Sequence, residues 1–154
     1  MQPDAARALA IWREAFTRQH QSAATALRTA FPLLVDVPPP TGCCPTRLRW
    51  ERAGVGSGTV CVDDHTRATI EFTGLPHVAG VVLDRLLPGL FEDAPRGIAQ
   101  SGPGEYYWYD EATTAEWTAT VDRDGRTDWE FAYISVPDAV MVLDSLHIAL
   151  PTAP

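Results

Sequence analysis

The side chains that most often carry catalysis are few and scattered in this chain. Its four histidines are His20, His65, His77 and His147. His20 and His147 fall in helical stretches, where a partly buried structural ring is the plain expectation. His77 would serve as a general acid or base only if the fold carried it to Asp63 or Asp64. Cys61 and His65 form a C-x3-H fragment, but the second ligand pair of a zinc site is missing. Cys43 and Cys44 are adjacent and pair with each other only by distorting the backbone, so the three cysteines read as thiols of a reducing compartment. There is no G-x-S-x-G, no H-E-x-x-H and no P-loop. Gly54, Gly56 and Gly58 lie between two strand patterns, whereas a dinucleotide fingerprint must open a helix, so they read as a hairpin loop. The expectation is a protein that is not an enzyme and holds neither metal nor cofactor.

A second constellation suits binding. Eight aromatic residues lie between positions 106 and 133: Tyr106, Tyr107, Trp108, Tyr109, Trp117, Trp129, Phe131 and Tyr133. Acids are interleaved with them, and rigid aromatic area ringed by acids is the composition of a protein-binding hot spot. The formal net charge is -8. Residues 1–42 carry +1, residues 43–100 carry -1 and residues 101–154 carry -8, so the excess belongs to the aromatic third. An acidic surface repels nucleic acid and attracts a basic protein. All basic residues are Arg, which reads as codon bias rather than chemistry. With Trp108, Trp129 and Phe131 as inward anchors, alternation places Tyr107, Tyr109, Asp110, Glu111, Asp128 and Glu130 in one exposed patch. A one-residue slip of the strand at 105–111 would exchange its two faces.

These residues need a scaffold, and the periodicity supplies one. Leu9, Trp12, Phe16, Ala23, Leu27 and Ala30 form one stripe of a helix from Asp4, its expected N-cap, to Ala30. The proline run at 37–45 is a stiff connector. Three alternating strands over 46–73 bury Leu48, Trp50, Val60, Val62, Ile70 and Phe72, with a polar turn at Asp63-Asp64-His65. A helix opening at Pro76 buries Val82 and Leu86, closing a first βββα unit over 46–91. The Gly- and Pro-rich segment 93–104 reads as a mobile loop. Strands at 105–111, 116–122 and 127–136, with a turn at Asp124-Gly125, lead through Ser135, Pro137 and Asp138 into a closing helix, so that 105–150 forms a second unit. The fold class is α+β: one domain over residues 1–154, with an antiparallel sheet of five or six strands and helices on one face, in the order α-βββ-α-βββ-α. The strand-burying residues should pack against Leu9, Trp12, Phe16, Val82 and Leu86.

The halves also match one another. At an offset of 59, Thr59, Val62, Asp63, Arg67, Glu71 and Phe72 recur as Thr118, Val121, Asp122, Arg126, Glu130 and Phe131. At an offset of 60, Val82, Leu83, Asp84, Leu86 and Leu90 recur as Val142, Leu143, Asp144, Leu146 and Leu150. An internal ββα duplication and two independent amphipathic patterns account for these matches equally well.

The segment from Trp117-Thr118 through Val121, the turn Asp124-Gly125 and the return Trp129-x-Phe131-x-Tyr133 resembles YezG-type immunity proteins of polymorphic toxin systems. That resemblance implies a small acidic α+β protein that protects a bacterium against a toxin, often a nuclease. The order of elements is also similar to that of small acidic secretion chaperones. The expected function is therefore a non-catalytic immunity protein that covers the basic cleft of a toxin domain. The alternative is an adaptor or chaperone for a secreted partner, for which a homodimer is also allowed, and the second alternative is a small enzyme of unknown type. Without an apolar run of membrane-spanning length or a signal-peptide core, the expected setting is cytoplasmic, with no membrane and no nucleic-acid partner.

Overall fold

Leu48, Trp50, Val60, Val62, Ile70 and Phe72 are all buried, while Arg49 and Glu71, which alternate with them, are exposed. That period of two makes one face of a sheet apolar and leaves the other wet. The computed structural model describes residues 3–38, 45–74, 99–102, 105–109, 111–112, 114–121 and 126–150. Helix α1 (Pro3–Ala30) is followed by strands β1 (Val35–Asp36), β2 (Thr46–Arg52), β3 (Gly56–Val62), β4 (Arg67–Gly74), β5 (Ala99–Gly102), β6 (Glu105–Tyr109), β7 (Glu116–Val121) and β8 (Thr127–Ser135), and then by helix α2 (Val136–Ala149). The described strands form one antiparallel sheet in the order β1-β2-β3-β4-β8-β7-β6-β5. The fold is α+β.

The six longer strands are those the alternation predicts, and two short edge strands add to them. β5 corrects the expected loop at 93–104, because Ala99–Gly102 pairs with β6; the rest of that segment lies outside the described residues. β1 corrects the start of the connector, since Val35 and Asp36 pair with Arg49 and Leu48. A run of two or four residues gives too little alternation to be read. The expected helix at 76–87 and the turn at Asp124-Gly125 also lie outside the described residues, as does 39–44 of the connector.

The register bears on the repeat. Glu71 pairs with Glu130, its own equivalent 59 residues on. Around that point the pairs Ile70 with Phe131 and Phe72 with Trp129 exchange under the same offset. Thr59–Glu71, Val60–Ile70 and Gly58–Phe72 of the β3/β4 ladder become Thr118–Glu130, Ala119–Trp129 and Trp117–Phe131 of the β7/β8 ladder. Flanking strands follow at an offset of 58: Arg49 faces Thr59 as Tyr107 faces Thr118. The sheet is thus two four-stranded meanders related by a local two-fold axis between β4 and β8, which periodicity alone does not produce. A β-bulge in β8 interrupts the symmetry, because three steps from Phe131 to Ile134 oppose two from Ile70 to Ala68, and Tyr133 takes a φ of 59°.

The core includes Leu27 near the end of α1, Phe31 just after it, and Ala139, Val142, Leu143 and Leu146 from α2, packed on the apolar sheet face. Phe72, Trp129 and Phe131 stack in sequence, with centroids 5.9 and 6.3 Å apart. Leu9 was expected in this core and is instead 41% exposed, as is neighbouring Ile11 at 58%. The side chains of Trp12 and Phe16, and the whole of Val82 and Leu86, lie outside the described residues. At 28 residues α1 is about 42 Å long, well beyond what the sheet end can cover, so every described side chain from residue 3 to residue 19 is exposed.

Local chemistry sets the joints. Ser135 caps α2, its Oγ accepting from the Asp138 N–H at 3.2 Å, with Pro137 in the first turn. Asp63 Oδ1 accepts from the N–H groups of His65 and Arg67, at 2.9 and 2.8 Å, and closes the β3/β4 turn. Asp4 is a first-turn acid rather than the expected cap, because α1 begins at Pro3. Only Gly54, at φ +75°, belongs to the β2/β3 turn; Gly56 and Gly58, expected there, lie in β3. A Cβ on Gly58 would stand 2.4 Å from the Glu71 carbonyl oxygen and 2.5 Å from Trp50 Nε1, so that glycine makes room for a buried indole.

Candidate functional site

Both helices contribute to the core on one sheet face, and no described element covers the other. Register and alternation fix which residues stand on that open face. One row crosses the sheet as Arg49, Thr59, Glu71, Glu130, Thr118 and Tyr107. A neighbouring row holds Ser57, Thr73, Asp128 and Thr120, and Glu116 pairs with Tyr109 on the far side.

Of the six residues expected in one patch, Tyr107, Tyr109, Asp128 and Glu130 lie on this face. The tyrosines are 37% and 41% exposed, Asp128 is exposed and Glu130 is half-buried. Glu111 is exposed in the turn after β6, and Asp110 lies outside the described residues. Trp129 and Phe131, taken as inward anchors, are buried at 2% and 0%; the side chain of Trp108, the third anchor, lies outside the described residues. Glu71, Glu116, Thr73 and Thr118 complete the patch and were not among the expected site residues. The signal that finds one of them is the repeat, since Glu71 is the offset-59 partner of Glu130.

The electrostatics are those of crowded carboxylates. Burial, then a hydrogen bond to Glu71 and the negative charges of Glu71 and Glu116, push the Glu130 carboxyl above the usual carboxylate range. Two carboxylates directly opposite in a ladder repel one another, and protonation of Glu130 relieves that repulsion. Thr73 Oγ1 donates to Asp128 Oδ1 at 2.5 Å, which fixes that carboxylate. Glu71, Thr73, Asp128 and Glu130 line a shallow depression of about 380 Å³ whose charged groups, among the described residues, are all carboxyls. Such a surface receives guanidinium or ammonium groups, and the flanking tyrosines offer aromatic area for their apolar stems.

A larger cleft, about 600 Å³, opens between α1 and the β1/β2 edge and includes His20, Arg28, Asp36 and Thr46 in its lining. His20 is 6% exposed, and its Nδ1 lies 3.0 Å from Thr46 Oγ1. Burial lowers its pKa, against the raising effect of Asp63 and Asp64, so the ring is neutral at pH 7. Arg28 is ion-paired with Asp36 across the cleft. Through its contact with Thr46 the imidazole joins helix to strand.

His65 sits in the exposed β3/β4 turn and His147 on α2, its ring 5.8 Å from that of Phe31. His77, Cys43 and Cys44 lie outside the described residues, and Cys61 is half-buried in β3. Among the described residues no three His, Cys, Asp or Glu side chains converge to hold a metal ion. No described helix is long and apolar enough to cross a membrane. No family model matches the sequence, and no curated protein matches it.

Proposed function

We propose that the chain is a non-catalytic protein-binding protein, most concretely a bacterial immunity protein that covers the basic cleft of a toxin domain. The observation that carries this reading is the open sheet face, where Tyr107 and Tyr109 stand beside Glu116, Asp128 and Glu130 with no described element over them. A basic cleft and this face attract one another at long range, and the tyrosines supply the rigid area a tight complex needs. The setting in this reading is the bacterial cytoplasm, and nucleic acid is repelled rather than bound.

The test is the association of the purified chain with a candidate toxin domain over a range of salt. Electrostatic steering predicts an on-rate that falls steeply with ionic strength. Replacing Tyr109 and Glu111 together by Ala should weaken binding by about 2 kcal/mol or more while leaving the melting temperature nearly unchanged. A salt-indifferent on-rate, or full affinity in the double variant, would overturn the proposal.

One observation favours a second reading, in which the chain carries an unfolded segment of a secreted partner. Leu9 and Ile11 are exposed on the projecting part of α1, and apolar clamping there would tolerate high salt and be lost on replacing both residues by Ser.

A further inference from the structure

The local two-fold axis relates two halves of the open face that carry opposite chemistry. On the β2–β4 side the charged residues are Arg47, Arg49 and Arg67 with Glu51 and Glu71. On strands β8–β6 themselves the described charged side chains of this face are Glu116, Asp128 and Glu130, flanked by Tyr107 and Tyr109, while Arg126, just before β8, lines a depression at the end of the sheet with Thr73 and Gly74. Where one half has Arg49, the equivalent place in the other is Tyr107. Arg49 is held by Glu51 at 3.0 Å in an ion pair exposed on both sides, and Arg67 reaches the Tyr133 carbonyl oxygen at 3.4 Å. Neither contact is strong enough to withhold the guanidinium from a better partner.

We propose that this face pairs with the same face of a second copy of the chain, each arginine half lying on the other's acidic, tyrosine-bearing half. A two-fold axis parallel to the strands, placed over the seam between β4 and β8, sets β2–β4 of one copy over β8–β6 of its partner. The interface is then isologous and closed, so it makes a dimer and not a filament. Two sheets stacked face to face in this way form an aligned sandwich.

The six longer strands offer a footprint about 24 Å across and about 20 Å along. That is at the small end of specific interfaces, so the dimer is weak, reversible and sensitive to salt. At its centre the axis brings the Glu71–Glu130 pairs of both copies together, with Thr59 and Thr118 beside them, and farther out on each flank Arg49 and Arg47 of one copy lie over Tyr107 and the Glu116–Tyr109 pair of the other. Protonation of Glu130 lowers that central repulsion, so self-association strengthens as pH falls from neutral toward the carboxylate range.

This inference does not rest on the immunity reading, because a toxin's basic cleft and the second copy compete for the same acidic half. If the chain stays monomeric yet binds a toxin domain, the dimer fails and that reading stands.

The experiment is sedimentation equilibrium of the full chain at low salt, with paired charge reversals. Arg47→Glu with Arg49→Glu makes both halves acidic, and Glu116→Arg with Asp128→Arg makes both basic. Each variant alone should lose self-association by tenfold or more, and an equimolar mixture should recover it as a heterodimer. The milder pair Glu116→Gln with Asp128→Asn, checked by an unchanged melt, should weaken the parent dimer several-fold. A parent that stays monomeric at hundreds of micromolar, a dimer indifferent to these variants, or a mixture of folded reversals that fails to associate would each overturn the proposal.

Discussion

Position 58 is glycine and position 117, its equivalent across the local two-fold axis, is tryptophan. Both face a phenylalanine in the ladder, Phe72 in one half and Phe131 in the other. The first half fills the space with Trp50 from the neighbouring strand, whose indole reaches over Gly58. In the second half Trp117 is itself buried and packs against Trp129 and Phe131 at 5.5 and 6.4 Å. One register therefore supports two packing solutions, with an indole approaching from the side or rising from the position itself. The open face diverges more freely, from arginine to tyrosine and carboxylate, because no core constrains it. Backbone pairing is common to the two halves, while the open face is where they differ most.

Single substitutions put the two packing solutions to the test. Trp117→Ala empties a fully packed site and should destabilise the protein by about 3–5 kcal/mol in denaturant unfolding. Gly58→Ala tests the other solution: its methyl group meets a carbonyl oxygen and the Trp50 ring, and overpacking of this kind should cost about 1–3 kcal/mol. If Gly58→Ala proved neutral, the side approach of Trp50 would not be what that glycine permits.

The titrating groups respond in opposite senses. Glu130 is raised above its unfolded value, so its contribution to stability is fully present below the unfolded carboxylate pKa and is lost as pH rises through the folded one. Glu130→Gln should thus stabilise the chain at pH 7 by a few tenths to about 1 kcal/mol and have no such effect in acid, as read by melts at both pH values. His20 is lowered, so its contribution is present above the unfolded histidine pKa and lost as pH falls through the folded one. The decline in stability just below pH 6.5 should flatten in His20→Gln. The smallest effect belongs to Arg47→Gln, half-buried with no salt bridge among the described residues, which should change stability by no more than about 0.5 kcal/mol.

The sheet was legible in the sequence because alternation over 46–73, 116–121 and 127–131 is regular and a one-residue slip would expose a whole apolar set, whereas 106–109 is aromatic on both faces and takes its phase from β7. The edge strands were not, since Val35–Asp36 and Ala99–Gly102 are held by their neighbours' hydrogen bonds rather than by any pattern of their own. Leu9 misled because helical spacing shows which stripe of α1 is apolar and not how far along it the core extends. Four of the six expected patch residues share the open face because Tyr107 and Tyr109 are in phase with Thr118 and Glu116 across the β6/β7 ladder. Glu71 was passed over because its neighbour in space is Glu130, and spacing within one strand says nothing about which distant strand will lie beside it.

The seam between β4 and β8 also determines the order in which the chain folds. Within each meander the described pairings are local, with β3 and β4 joined by a short turn, whereas the seam joins residues about sixty positions apart. Loop closure over that distance must come before its contacts form, and such pairings slow folding. The two halves should therefore reach native-like pairing first and dock last, with the stacked rings of Phe72 and Trp129 closing the joint. Truncating Phe72 to Leu should slow refolding if that closure is rate-limiting, whereas truncating Val60 should mainly hasten unfolding.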